Sequence, residues 1–558
     1  MSGHPPAIVI LGEGSLSVAR QVQQALAGST IHGLAGRVSG ADVSFTEFGD
    51  SLRRLFADDV PLIVFCAAGI VIRTLAPLLQ DKRGEPPVIA MAEDGSAVVP
   101  LLGGLRGVNT LARTIGDALG VRAAITTTGE VRFAATLEQA PDGYELRNPA
   151  DSKRFMSDLL AGAKVRLIGE APWLRESRLP FAEDGALSIR VTEQDAEPAA
   201  GELVFHPRSV LVAVSADEDD LVPEVAAALS AGGLARQSIA AIVAQEKDAA
   251  RPEIHAVATA FGRPLRLVSG DETVSIGDGP VSLAVSPRPI DVSTIGRARG
   301  RLAVVGLGPG AEGWMAPDAR RALASADDIV GYETYVSMAG PFRAAQAIHA
   351  SDNREELERA RHALSLAAQG RSVAIVSSGD PGIFAMAAAV MEALDASGDP
   401  AWHGVETVIV PGISAAQGAA ARAGAPLGHD FCILSLSDNL KPWEIIEERL
   451  KAAVLADLVL ALYNPISRAR PHQLGRALEI LRAGRRPETP VVLGRDIGRP
   501  GERLTVVRLD ELASEQVDMR TVVIIGSSQT RRFARGEGGE WVYTPRWYGA
   551  RLRTGVVE

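Results

Sequence analysis

Apolar positions along the chain fall into short unbroken runs that end in glycine-rich turns and lead into stretches with helical spacing. Residues 7–12 (AIVILG) are such a run, and in 18–26 (VARQVQQAL) apolar residues recur at intervals of three and four, which predicts a buried strand, a turn and a helix. The order returns at 62–69 (LIVFCAAG) before IVIRTLAPLL, then in PPVIAMAEDGSAVVPL and the helical GVNTLARTIGDALG, whose Gly120 is placed to cap its C-terminus. Between Pro149 and Gly201 the pattern weakens to one strand signal, SIRVTEQ, and reads as the tail of a first α/β unit spanning 1–200. A second alternation (SVLVAVSA, VPEVAAALSAGG, SIAAIVAQEK, EIHAVATAFG, LRLVSG) gives a smaller α/β unit over 205–275, and residues 276–300, rich in Pro, Gly and Arg, read as a linker.

The pattern sharpens from residue 301. LAVVG, the loop LGPGAEGWM, the helical PDARRALASA and DIVGY form a β-α-β opening, and in SVAIVSSGDPGIF and ETVIVPGISAAQGAAARAG a strand breaks into a Gly/Pro turn followed by a small-residue helix. A second half begins at Pro426, with DFCILSLSD, VLALYNPIS, TPVVLGRDIG and TVVIIGSS as strands, giving two lobes over 301–425 and 426–546. The fold class is therefore α/β and multidomain.

Composition narrows the function. With 558 residues, 46% hydrophobic and 22% charged, the chain has apolar material for several cores, which excludes a single small module and a disordered chain. A net charge of −11 opposes attraction to a phosphate backbone, so nucleic acid is not the expected partner. Cys66 and Cys432 lie far apart in apolar surroundings and read as free thiols of a reducing compartment. No basic segment leads an apolar one at the N-terminus and no apolar run reaches membrane-spanning length, so the expectation is a cytoplasmic protein with no membrane partner. No clustered Cys/His spacing points to a protein metal site.

Residues 306–311 (GLGPGA) satisfy the G-x-G-x-x-G/A dinucleotide pattern after a strand. Pro309 removes a backbone donor from that turn, and Asp327 and Asp328 precede the next strand instead of ending it, which argues against a pyrophosphate and ribose site. SSGDPGIF (377–384), PGISAAQGAAA (411–421), LGHDFCILSLSD (427–438), LYNPISRAR (462–470) and VIIGSS (523–528) also put Gly, Pro, Asp, Ser or Asn at strand ends, where backbone can approach a ligand closely.

Together with VGLGPG and GYETY (331–335), these motifs resemble in order and spacing the tetrapyrrole methylase family, over about residues 300–546. Within it, SSGDPGIFAMA, GAPLGHDFCILSLSDNLKPW and LYNPISRAR resemble the precorrin-3B C17-methyltransferase branch. The resemblance implies a two-lobed methylase fold preceded by two smaller α/β domains, with S-adenosylmethionine bound between the lobes, precorrin-3B in the adjoining trough, and a homodimer. By resemblance, Pro309, Gly379, Asp380, Ile383, Ser414, Ala415, Tyr463 and Asn464 are cofactor-contact candidates, with a turn-stabilising role for Asp380 as the alternative. The branch's ring contraction requires a proton to leave a macrocycle hydroxyl, and His429, Asp430, Asp438 and Tyr332 or Tyr335 are candidate bases. Arg468, Arg470, Arg495 and Arg499 are candidate clamps for the substrate's carboxylates. Metal-free and cobalt-bound substrates both remain open.

The front half resembles the cobalt-precorrin-5A hydrolase family, through AAGIVIRTLAPLLQDKRGEPPVIAMAEDGSAVVPLLGGLRGVNTLARTIGDALG and AAITTTGE (123–130), and more loosely through IAAIVAQEKDAARPEI with Lys247 and Glu253. Leu105 stands where that family usually has His, and VSADEDD (214–220) replaces a Gly-Cys-Arg-rich turn. Asn109, Thr126, Thr127, Thr128 and Glu130 are possible site residues, with capping roles as the alternative. A degenerate hydrolase, a retained lactone-opening activity and a corrinoid-binding module are the three readings of this half.

Overall fold

The computed structural model describes residues 5–26, 28–79, 84–138, 140–215, 220–269, 279–343, 346–352, 355–467, 470–536 and 538–547. Six strands form the first sheet, in the order Val43–Phe45, Thr30–Leu34, Ala7–Ile10, Leu62–Phe65, Val88–Met91, Val98–Leu102, and only the last pair is antiparallel. Alternate strand residues serve opposite faces. Ile8, Ile10, Ile63 and Phe65 pack on helices Leu16–Ala25 and Val108–Leu119, whereas Ala7, Val9, Leu62 and Val64 pack on Phe48–Ala57 and Ala68–Leu75. Gly120 ends its helix in the left-handed conformation (φ 68°) that its position predicted.

Residues 144–207 depart from the expected tail. They build a four-stranded sheet, ordered Tyr144–Leu146, Glu202–Pro207, Leu187–Val191, Val165–Ile168, over a core that includes Phe155, Leu174, Ile189 and Phe205. The stretch expected as a linker also differs, since Val281–Val285 and Arg297–Ala298 form the two antiparallel edges of a five-stranded sheet around Val210–Val214, Ile239–Gln245 and Leu265–Val268. VSLAV is an apolar run long enough to add an edge strand, and its Gly and Pro neighbours supply the turn before it.

The next sheet holds five parallel strands, ordered Ala347–Ser351, Asp328–Tyr332, Ser372–Ser377, Arg301–Gly306, Glu406–Val410. Helices Pro317–Ser325 and Glu333–Ala339 cover one face, Glu356–Ala368 and Met386–Asp395 the other. The chain leaves Gly306 toward the first face and Ser377 toward the second, so a crevice opens beyond the C-terminal ends of these neighbouring strands. The last five-stranded sheet is mixed, with Phe431–Ser435 and Val459–Tyr463 parallel and Thr521–Ile525, Pro490–Arg495 and Arg503–Arg508 joined antiparallel. Helix Ala415–Ala423, lined with alanine, packs on one face of that sheet, and helices Trp443–Leu455 and Gln473–Gly484 cover the other.

Candidate functional site

Three strand-end glycines set the geometry of the crevice. A Cβ on Gly306 would stand 2.7 Å from the Gly379 carbonyl oxygen, 2.7 Å from Pro381 Cδ and 2.8 Å from the Gly412 nitrogen, so no side chain fits where the three loops meet. Gly308 and Gly379 exchange both backbone hydrogen bonds, at 3.1 and 2.8 Å, with Gly379 held at φ 72°. Pro309 is buried beside them.

Asp380 fastens the adjoining turn. Its Oδ1 accepts from the Gly382 nitrogen (2.8 Å) and its Oδ2 from the Gly412 nitrogen (3.1 Å), so its carboxylate ties the loop after Ser372–Ser377 to the loop after Glu406–Val410. Beyond it, Ile383 is half-buried and Phe384 is exposed at φ 52°. The Phe384 ring meets Tyr463 edge-on at 5.8 Å across the lobes, and Lys441 Nζ lies 5.8 Å from the Phe384 ring.

Ser414 caps helix Ala415–Ala423 through a reciprocal box: its hydroxyl accepts from the Gln417 nitrogen (3.2 Å), and the Gln417 side chain accepts from the Ser414 nitrogen (3.0 Å). The Tyr463 hydroxyl accepts from the Ala416 nitrogen (2.8 Å), which anchors the first turn of the helix to the second lobe. Burial pushes the Tyr463 phenol above its ordinary pKa, so it stays protonated at neutral pH. Asn464 follows in a left-handed conformation (φ 50°) and donates to Ser435 Oγ (3.0 Å). Arg470 lies against it, with Nη1 3.5 Å from the Asn464 carbonyl, and pairs with no carboxylate among the described residues. Half-buried Asp438 accepts from Gln473 Nε2 (2.9 Å) past the end of the neighbouring strand. Tyr463, Asn464, Asp438 and Arg470 thus share the C-terminal ends of two parallel strands.

Other sequence candidates are placed differently. His429 and Asp430 precede strand Phe431–Ser435, and the Asp430 carbonyl accepts from the Val459 nitrogen at the start of the neighbouring strand. A five-residue strand spans roughly 13 Å from first to last Cα, so the pair stands at the end of the sheet opposite Asp438. Asp430 is also solvent-facing, and its backbone nitrogen donates to His429 Nδ1 (2.8 Å). Arg495 is already matched by Asp518 (2.8 Å) and Asp496 (3.1 Å). Arg499 bonds the Pro309 carbonyl and the Ser378 hydroxyl. Tyr332 ends its strand on the crevice side and stacks edge-on with Tyr335 at 5.2 Å. Arg468 lies outside the described residues.

Phe384, Lys441, Ser378 and Ser435 complete the wall without having been singled out in the sequence. Phe384 and Ser378 flank the Asp380 turn and Ser435 ends its strand, so strand-end position was the available signal. In the front half, Asn109 bonds Thr127 Oγ1 (3.1 Å) and the buried Glu130, which Arg113 also pairs. Cys66 and Cys432 are free, and burial raises both thiols.

Residues 301–513 match the family model described as Tetrapyrrole (Corrin/Porphyrin) Methylases, and residues 50–130 match the model described as Cobalamin synthesis G N-terminal. Over 249 residues, 45% of this chain and 97% of the relative, the chain is 53% identical to a protein of Sinorhizobium sp named precorrin-3B C(17)-methyltransferase. The chain belongs to the tetrapyrrole methylase family. The methylase is also 50% identical over 253 residues to a cobalamin biosynthesis protein named CobIJ of Mycobacterium tuberculosis, spanning 48% of that protein. A crystal structure of the methyltransferase CobJ is 52% identical, with a TM-score of 0.42, and is covered in full by 44% of this chain. The methylase is thus a multidomain α/β enzyme with its methyltransferase portion at the C-terminal side and a cobalamin-synthesis G-like portion before it. No helix among the described residues is long and apolar enough to cross a membrane.

Proposed function

We propose that residues 301–546 transfer a methyl group from S-adenosylmethionine to C17 of precorrin-3B, with ring contraction to precorrin-4, in cobalamin biosynthesis. The observation that carries this reading is the 53% identity along 97% of the Sinorhizobium protein of that name. The crevice supports it: glycines with no room for a Cβ let three strand-end loops close on one another at its floor, and Ile383 and Phe384 add apolar surface beside them. Pro309, Gly379, Asp380, Ile383, Ser414, Ala415, Tyr463 and Asn464 would hold the cofactor, mostly through main chain.

S-adenosylmethionine supplies a methyl group already activated on a sulfonium, so the protein needs no nucleophilic side chain. Its residues place and align instead. Asp380 keeps two of the loops together, Tyr463 fixes the first turn of the helix that Ser414 caps, and the edge-on Phe384 and Tyr463 rings close one side against water. Asp438 takes the proton of the macrocycle hydroxyl, with Tyr332 at the end of its first-lobe strand as the second candidate. Arg470, free of a carboxylate partner among the described residues, pairs with a substrate carboxylate.

For the front half we propose a corrinoid-binding role without lactone opening. Its Glu130 carboxylate is engaged by Arg113 and Asn109, and Leu105 offers no proton acceptor. The match of residues 50–130 favours a second reading, in which the front half still opens the lactone of cobalt-precorrin-5A and releases acetaldehyde. A homodimer of the methylase lobes and a cytoplasmic location complete the proposal.

The test is an anaerobic incubation of the full chain with S-adenosylmethionine and either metal-free precorrin-3B or its cobalt complex, followed by mass and absorption spectra. Methylation of the metal-free substrate supports the reading. Turnover of the cobalt complex alone, with acetaldehyde from cobalt-precorrin-5A, favours the bifunctional enzyme, and no methylation of either overturns the C17 assignment.

A further inference from the structure

Of the three glycines at 306, 308 and 310, where strand Arg301–Gly306 passes into its turn, two are explained within the first lobe and the third is not. Gly306 is pressed against Gly379 and Gly412, and Gly308 exchanges hydrogen bonds with Gly379. Gly310 (φ 142°) faces the second lobe instead: a Cβ there would stand 2.5 Å from Arg499 Cγ and 3.1 Å from the Gly498 carbonyl oxygen. The fit is reciprocal, because a Cβ on Gly498 would lie 3.0 Å from the Ala311 nitrogen and 3.2 Å from Pro309 Cγ. The loop after Pro490–Arg495 is therefore seated flush on residues 309–311.

From that seat Arg499 reaches both sides of the crevice. Its Nε donates to the Pro309 carbonyl (2.9 Å) and its Nη2 to Ser378 Oγ (2.8 Å), so one second-lobe side chain bonds to both loops at the first lobe's switch point. No carboxylate pairs with it among the described residues. The turn that carries it is fixed in its own right. The Arg499 nitrogen donates to the Asp496 carbonyl (2.8 Å) and the Gly498 nitrogen to Glu502 Oε2 (2.8 Å). Glu502 Oε1 accepts from Arg422 Nε (2.8 Å), and the Arg422 guanidinium lies 4.6 Å from the ring of Trp314, which belongs to the same first-lobe loop as Pro309.

We propose that Arg499 is a positioning residue for the cofactor, and not a clamp for substrate carboxylates: it holds the 307–311 and 378–385 loops in mutual register from the other lobe, so that cofactor affinity depends on the second lobe being seated. The proposal rests on the reading that these loops hold S-adenosylmethionine. The guanidinium suits the task because its planar fork reaches two acceptors at once, whereas a lysine ammonium placed on one acceptor leaves the two loops joined only by the Gly308–Gly379 backbone bonds. Losing bonds made by a charged donor would then appear as weaker cofactor binding, since two loops must be ordered at the moment of binding.

The experiment uses the full chain, with S-adenosylhomocysteine binding by calorimetry and steady-state methylation of precorrin-3B. Arg499→Met and Arg499→Lys are expected to weaken S-adenosylhomocysteine binding roughly 10- to 100-fold and raise the KM for S-adenosylmethionine by a similar factor. The KM for precorrin-3B stays within about twofold on the same reasoning, because the tie is not a substrate contact. Ser378→Ala, which removes one acceptor and leaves the arginine, gives a smaller loss and adds nothing when combined with Arg499→Met; it keeps the test open if the arginine variants do not fold. A rise in precorrin-3B KM with unaltered S-adenosylhomocysteine binding overturns the proposal in favour of a substrate clamp. Unaltered binding in every variant of a wild type that does bind overturns the proposal alone, whereas a wild type that binds no S-adenosylhomocysteine overturns the cofactor reading and the proposal with it.

Discussion

Gly306→Ala puts a single methyl where three loops meet, and its cost follows from the distances. An ordinary carbon–oxygen contact is about 3.3 Å, and the new Cβ would sit 2.7 Å from the Gly379 carbonyl oxygen, 2.7 Å from Pro381 Cδ and 2.8 Å from the Gly412 nitrogen. Two of these neighbours are backbone and the third is a proline ring, so none can swing aside as a flexible side chain would. The loops must separate by about half an ångström, an overpacking that typically costs ~1–3 kcal/mol. The Gly379 carbonyl also accepts from the Gly308 nitrogen, and weakening that bond adds about 1 kcal/mol. If ~1.4 to 3 kcal/mol of this falls on the cofactor-holding geometry, S-adenosylhomocysteine affinity drops tenfold or more. Gly313→Ala is the control, because a Cβ there meets nothing within 4 Å on the same stretch of chain. Calorimetric titration and thermal melting of both full-length variants would refute the reasoning if Gly306→Ala bound and melted like Gly313→Ala.

Asp438→Asn is expected to lower kcat by roughly 10²- to 10⁴-fold, the usual contribution of a positioned base, with S-adenosylhomocysteine affinity unchanged; equal loss of both would show a structural role. Arg470→Ala should raise the KM for precorrin-3B about tenfold or more, as expected for a lost charge-assisted bond, while leaving the KM for S-adenosylmethionine in place. Tyr463→Phe strands the Ala416 N–H, on a residue that is fully buried, and should cost about 1–3 kcal/mol of stability, read as a lower melting temperature. In the front half, burial and then the neighbouring Arg54 charge hold the His32 imidazole down to about 4, from 6.5. The unfolded chain takes up that proton first, so stability is complete above pH 6.5 and falls as pH drops from 6.5 toward about 4, a loss that His32→Gln should flatten in pH-dependent melting.

The parallel strands were legible because burial on both faces makes them continuous apolar runs, as in AIVI, LIVF and SVAIVS. The sheet over residues 144–207 was not, because strand Glu202–Pro207 (ELVFHP) buries a glutamate and a histidine. Glu202 there accepts from Arg190 Nε (3.0 Å), 12 residues back, and His206 Nδ1 bonds the Thr192 carbonyl (2.7 Å), 14 residues back, pairings that the strand's own residues do not display. The glycine and proline loops of the crevice could be read from their position after strands. Which arginine carries a free charge could not: Arg495 is matched by Asp518, 23 residues on, and Arg499 bonds Pro309, 190 residues back. The opposite placement of His429 and Asp430 was readable in principle, since residues before a strand lie at its N-terminal end.

The most direct test of the central claim uses S-adenosylmethionine labelled with ¹³C in the transferable methyl group. Anaerobic turnover of precorrin-3B by the full chain, followed by ¹³C spectroscopy and mass analysis, should show one labelled methyl at C17 of a ring-contracted product. Label at another carbon, or an unlabelled macrocycle recovered alongside intact S-adenosylmethionine, would contradict the account.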